Sequence, residues 1–154
     1  MTFTPAEAAE RSERVAPRLR EHLPPTPFVR YGALSDELGA DLLVKSEHLQ
    51  RTGSFKARGA MAKILTLTDE QRQAGVVTAS TGNHGLGVGN ALATLGGHGI
   101  VYLPENASPS KVAALRRLGL EIRAEGNDSG VLEPKARAYA AERPAQAARG
   151  RRIP

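Results

Sequence analysis

Lys56 stands in the run Gln50-Arg51-Thr52-Gly53-Ser54-Phe55-Lys56-Ala57-Arg58-Gly59-Ala60, and a second glycine-rich run, Ser80-Thr81-Gly82-Asn83-His84-Gly85, follows about one βα unit later. A lysine at the mouth of a helix can attack an aldehyde when its amine is neutral. Lys45, Arg51 and Arg58 lie near it in sequence, and their charges, with the positive end of a helix dipole, favour that neutral form. A solvated surface lysine would show the same neighbours. In the second run, Gly82 and Gly85 let the backbone come close to a ligand, and the free amides of a following helix would face it. The Ser80 and Thr81 hydroxyls, the Asn83 amide and the His84 imidazole add polar side chains. Such a nest suits a carboxylate or a phosphate, although a plain glycine-rich turn needed only for packing has the same composition.

The elements that position these runs follow from periodicity and punctuation. Thr4-Pro5-Ala6-Glu7 is a helix start, with Thr4 as N-cap, Pro5 at the first position and Glu7 closing a capping box. Pro17 is expected to kink or end that helix, because proline removes a backbone donor. The Pro24-Pro25-Thr26-Pro27 stretch is extended. A short helix is expected over 33–38 with Gly39 as its cap, then a strand over 41–45. Beyond Gly53 the chain alternates: helix 54–67, strand 75–79, helix 83–95 stopped by Gly96-Gly97, and strand 100–103. A helix capped by Ser108, with Pro109 first and Gly119 at its end, leads to strand 120–123 and helix 131–141. Strands alternating with helices of about 10–14 residues predict an α/β fold, a parallel sheet with helices on both faces. Ligands of such sheets sit outside the carboxyl ends of the strands, where residues 80–85 fall.

Composition narrows the function. The chain has 154 residues, enough for one domain with a real core, and only six aromatic residues, three Phe and three Tyr, so that core must rest on Ala, Leu, Val and Ile. With no cysteine, disulfides, thiolate metal sites and a cysteine nucleophile are excluded, and no metal site is expected. No apolar run approaches the roughly 20 residues of a membrane helix, and the N-terminus does not look like a signal peptide. A cytoplasmic protein without a membrane partner is the expectation. The net charge of +5 owes much to Arg149, Arg151 and Arg152, which no aromatic residue interleaves, so no nucleic-acid partner is expected.

Several runs, in order, resemble the fold-type II pyridoxal-phosphate enzymes, most closely the serine/threonine dehydratase (threonine ammonia-lyase) and serine racemase branch. They are Thr26-Pro27-Phe28, Lys45-Ser46-Glu47-His48-Leu49-Gln50, the lysine run, the asparagine loop, and Leu103-Pro104-Glu105-Asn106-Ala107-Ser108-Pro109-Ser110-Lys111, leading to Arg117-Leu118-Gly119-Leu120-Glu121-Ile122. The resemblance implies a tryptophan-synthase-β-like fold and pyridoxal 5'-phosphate as cofactor. It further implies that Lys56 holds the cofactor covalently and then acts as general base at the substrate Cα. Phe55 would pack beside the cofactor and Asn83 would hydrogen-bond its ring oxygen. Ser80, Thr81, Asn83 and His84 would hold the substrate carboxylate. The implied reaction is β-elimination from L-threonine or L-serine, giving a 2-oxo acid and ammonia. Ala57 departs from the Asp usual after this lysine in threonine synthase and cysteine synthase relatives. Thr81 stands where serine racemases place a serine acid/base, which favours elimination over racemisation, and Leu86 replaces a frequent glutamine.

The similarity covers about residues 20–142 of a family whose members are roughly twice as long. The expected organisation is therefore truncated: 1–52 as the N-terminal arm of a large domain, 53–142 as the small α/β domain, and 143–154 as a divergent basic tail of the kind a truncation or frameshift leaves. The family's second half would supply the phosphate-binding loop, the partner of the pyridine nitrogen and much of a homodimer interface. Alternatives are a non-catalytic small-domain binding module, a serine racemase-like activity, and a dinucleotide site with Glu105 as its ribose acid. The loop does not fit Gly-x-Gly-x-x-Gly from its first glycine, which counts against the last.

Overall fold

The computed structural model describes residues 4–80 and 82–142. They fall into two units that divide between Phe55 and Lys56, three residues beyond the division expected from the motifs.

The first unit opens with helix α1, Pro5–His22. The Glu7 amide donates to the Thr4 hydroxyl at 3.3 Å and the Glu7 carboxylate accepts from the Thr4 amide at 2.8 Å, so the capping box forms as the residue types dictate. The helix does not end at Pro17. Proline deletes one backbone bond, and the turn beyond it is held by buried Leu19 and by the Leu23 amide, which donates to the Leu19 carbonyl at 2.8 Å. After the prolines come strand β1, Phe28–Arg30, helix α2, Gly32–Leu38, and strand β2, Leu43–Lys45. Gly39 closes α2 at φ 61°, in the left-handed region that glycine enters without strain. β1 pairs antiparallel with β2, Val29 opposite Val44, so the strand expected over 41–45 is shorter and lies outside any parallel sheet. β1 itself carries too few residues to show a period.

Polar contacts tie this unit together. Buried Ser35 donates to the Tyr31 carbonyl at 2.8 Å and accepts from the Leu42 amide at 3.0 Å. Thr26, also buried, gives its hydroxyl to Glu47 and its carbonyl to the Lys45 ammonium at 2.7 Å. Buried Gln50 donates to the Pro24 carbonyl at 3.0 Å. Apolar surface remains: Phe28, Val29, Leu38, Leu43 and Leu49 are each more than half exposed, and Leu42 and Val44 are half-buried.

The second unit is an α/β sandwich: α3 (Lys56–Ile64), α4 (Asp69–Ala74), β3 (Val76–Ala79), α5 (Asn83–Leu95), β4 (Gly99–Leu103), α6 (Pro109–Arg117), β5 (Glu121–Ala124) and α7 (Ser129–Ala141). The helix expected over 54–67 is shorter, α3 alone, and a second capping box, Thr68 with Gln71, starts the separate helix α4 beyond it. Ser108 occupies the cap position of α6, but its hydroxyl meets that of Ser110 and caps nothing. The sheet is parallel, in the order β3-β4-β5, with Val77 beside Ile100 and Val101 beside Ile122. Alternation assigns the faces. Tyr102 packs with Leu132 and Ala136 of α7, joined by Val77, Ala79 and Ile100, while Val101 faces α5 and α6 beside Gly85 and Leu115. Helices therefore cover both faces. Arg123 on β5 donates to the hydroxyls of Tyr102 and Tyr139, each at 3.1 Å, and pairs with Glu121 at 2.7 Å.

Candidate active site at the starts of two packed helices

The loop after β3 begins as a continuation of the sheet, with the Ser80 amide donating to the Tyr102 carbonyl at 3.0 Å. Ser80 is half-buried, and its hydroxyl accepts from the Gly82 amide at 3.2 Å and the Gly85 amide at 3.1 Å. It holds the turn closed and keeps only its proton to offer outward. The Leu86 amide is satisfied by the Gly82 carbonyl at 3.2 Å. The amides of Asn83 and His84, the first two residues of α5, donate to nothing among the described residues. A helix start with two amides left over is a site for negative charge. Asn83 is exposed there, whereas His84 is half-buried. Thr81, the remaining candidate of this loop, lies outside the described residues.

Lys56 is the first residue of α3, and its side chain is exposed. Its position relative to the loop is set by packing of α3 on α5. Ala57, Ala60, Met61 and Ile64 of α3 are buried, and Gly87 of α5 lies against the first turn of α3: a methyl placed at Gly87 would sit 3.0 Å from the Lys56 carbonyl oxygen and 3.1 Å from the Ala60 Cβ. The two helix starts thus lie close together. Their proximity shows in the titration of His84, whose pKa burial and then the positive charge of Lys56 hold below the ordinary histidine value. The imidazole is kept neutral, able to donate from one nitrogen and accept at the other.

Of the residues singled out from the sequence, Lys56, Ser80, Asn83 and His84 are brought to one mouth. Phe55 is exposed and is the last residue of the first unit, whereas the loop belongs to the second. Lys45, invoked for its charge, is tied to the Thr26 carbonyl in the first unit. Lys111, by contrast, was legible only as part of a longer run. It lies in the first turn of α6, and its ammonium nitrogen stands 3.9 Å from the position of a Cβ on Gly82. Topology could have found it, since α6 also starts just past the carboxyl end of a strand. A cleft of about 350 Å³ between His98, Gly119, Glu121 and Arg123 lies at the other, amino ends of the strands. Among the described residues no cluster of His, Asp or Glu could hold a metal, and no helix is long and apolar enough to cross a membrane.

The sequence and the fold are similar to those of known proteins. The family profile described as "Pyridoxal-phosphate dependent enzyme" matches residues 19–150. The chain is 39% identical over 119 residues to the catabolic L-threonine dehydratase of Escherichia coli K12, covering 77% of this chain and 35% of that protein. It is 45% identical over 94 residues to the L-threonine ammonia-lyase of Thermotoga maritima, covering 61% of this chain and 23% of that one. Among solved structures, the processed threonine deaminase isoform 2 of Solanum lycopersicum superposes with a TM-score of 0.81 at 27% identity, over 92% of this chain and 39% of that one. This chain therefore spans about a third of the length of such relatives. The profile covers most of the chain and the fold superposes on a threonine deaminase, so this chain belongs to the family of pyridoxal-phosphate dependent enzymes.

Proposed function

We propose that the chain carries the lysine and carboxylate half-site of an ammonia-lyase (dehydratase) that converts L-threonine or L-serine to a 2-oxo acid and ammonia by β-elimination. The observation that supports this most is the meeting of Lys56, a neutral His84 and two spare amides at one mouth. The donor set fits an aldehyde cofactor with an amino-acid substrate. Lys56 supplies a primary amine, and the Asn83 and His84 amides are donors for a carboxylate or a ring oxygen. When bound, pyridoxal phosphate supplies the aldehyde and the electron-withdrawing ring that makes a Cα proton removable.

The residues divide the remaining work. The α5 amides and the Asn83 side chain fix the carboxylate, so the Cα–H bond has one orientation. Ser80 keeps those amides aimed by closing the loop from inside. His84 donates a hydrogen bond without adding a charge of its own. Lys56, freed from the cofactor, takes the Cα proton at its amine. Net loss of water and its later return leave a 2-oxo acid and ammonia.

Reduction with borohydride in the presence of pyridoxal phosphate, followed by peptide mapping, tests the assignment of the lysine. The label should concentrate on Lys56, and Lys56→Ala should lose it with little change in stability, since the side chain is exposed. Equal labelling of all lysines would refute the role of Lys56.

A further inference from the structure

Helix α5 carries glycines at 85, 87 and 89, and they do not all face the same way. At about 100° per residue, Gly85 and Gly89 share one side while Gly87 lies nearly opposite. On the first side, a methyl at Gly85 would sit 3.1 Å from Leu115, and one at Gly89 would sit 2.9 Å from Leu120 and 3.0 Å from Leu118. On the other side, a methyl at Gly87 would meet the backbone of Lys56 itself, 3.0 Å from its carbonyl oxygen and 3.2 Å from its carbonyl carbon. Helix α5 is wedged between these two contacts. It cannot move away from α3 without pressing on Leu115, Leu118 and Leu120, all of which pack closely already.

We infer that Gly87 is the positioning residue for Lys56: its missing side chain seats the first turn of α3 so that the lysine reaches the anion loop. This rests on the assignment of Lys56 made above. Contact with main chain distinguishes Gly87 from the other two glycines, whose methyls would meet side-chain atoms, the Leu118 Cβ among them, whereas the Lys56 carbonyl moves only with its helix. Gly87 is buried against the first turn of α3. It acts through the lysine alone.

A methyl at 87 must push the Lys56 carbonyl by a few tenths of an ångström, and that shift is passed to an amine at the end of the same residue. A 1 Å misplacement of a reacting group can cost about a hundredfold, so a shift of a few tenths should cost several-fold. The test compares Gly87→Ala with Gly89→Ala, which crowds α5 equally but from the far side. Both are treated with pyridoxal phosphate and borohydride, and label is followed separately on Lys56 and on Lys45, Lys63, Lys111 and Lys135, with circular dichroism as the check of folding. The expected result is a several-fold fall at Lys56 in Gly87→Ala, with the other lysines unchanged and Gly89→Ala labelled like the parent. Should Gly87→Ala fail to fold, the double variant Gly87→Ala/Ala60→Gly removes the neighbouring methyl and leaves the clash with Lys56, so low Lys56 labelling is still expected. Parental labelling of Lys56 in a folded Gly87→Ala or double variant overturns the inference, as does an equal loss in Gly89→Ala. If the parent chain itself shows no preference for Lys56, the assignment of the lysine falls and this inference with it.

Discussion

The two units of the chain are stabilised by different means. Of the buried polar side chains, Thr26, Ser35, Gln50 and Ser54 belong to the first unit and Thr78 to the second. Large exposed apolar side chains show the same division: Phe28, Val29, Tyr31, Leu34, Leu38, Leu43, Leu49 and Phe55 lie in the first unit, and among the described residues Val131 alone in the second. The second unit excludes water from both faces of a sheet and derives its stability from area buried. Beyond helix α1 the first is a set of short segments joined by hydrogen bonds, with three-residue strands that bury little. The proposed site lies on the unit with the real core, as a reaction that needs its groups held to within fractions of an ångström requires.

Substitutions can break or sharpen that contrast. The largest effect is expected for Leu132→Ala, which empties the cluster beneath α7; Leu132 is 1% exposed, and the loss should be about 2–5 kcal/mol in urea unfolding. Gln50→Ala should cost about 1–3 kcal/mol, because it strands the Pro24 carbonyl and the Arg51 amide. That loss should appear as faster amide exchange in the first unit, with the sheet of the second unchanged. If Gln50→Ala loosened the sheet and Leu132→Ala did not, the contrast would be wrong.

A smaller effect concerns pH. The folded pKa of His84 is depressed, so the unfolded chain binds its proton first as pH falls below the ordinary value of 6.5. Stability contributed by the neutral imidazole is complete above that value and declines below it. His84→Gln should flatten this part of a stability-against-pH curve, and an unchanged slope would show that the burial of His84 carries no such linkage. The smallest effect is expected for Leu43→Ser, within about 0.5 kcal/mol of the parent, since its side chain is already in water.

Much of the second unit was legible in the sequence because its signals are local and redundant. The helix expected over 83–95 is α5 to the residue, bounded by the Gly82 turn and by Gly96. The start of α1 was equally plain, since three residues specify a capping box. What escaped had its cause elsewhere in the chain. Pro17 reads as a stop until Leu19 and Leu23 are seen to anchor the turn beyond it. β1 and α4 are too short for a period, and only the Thr68–Gln71 pair marks α4. At the site, Lys56, Asn83 and His84 were singled out by residue type, and the packing of α3 on α5 brings them to one mouth. Ser80 was expected to face a ligand, and geometry gives its lone pairs to the loop. Gly87 looked like one more small residue of a small-residue helix, because nothing in the chain says which side of α5 meets which backbone.

The glycines of α5 have one more consequence, for the order in which the site comes into being. Each costs a helix about 1 kcal/mol against alanine, so three in 13 residues leave α5 without a stable helical state of its own. The amides of Asn83 and His84 become parallel and aimed only once α3, α6 and the sheet have closed around them. An anion at that mouth therefore selects the assembled unit over every looser form, and occupancy should raise the melting temperature in step with ligand concentration.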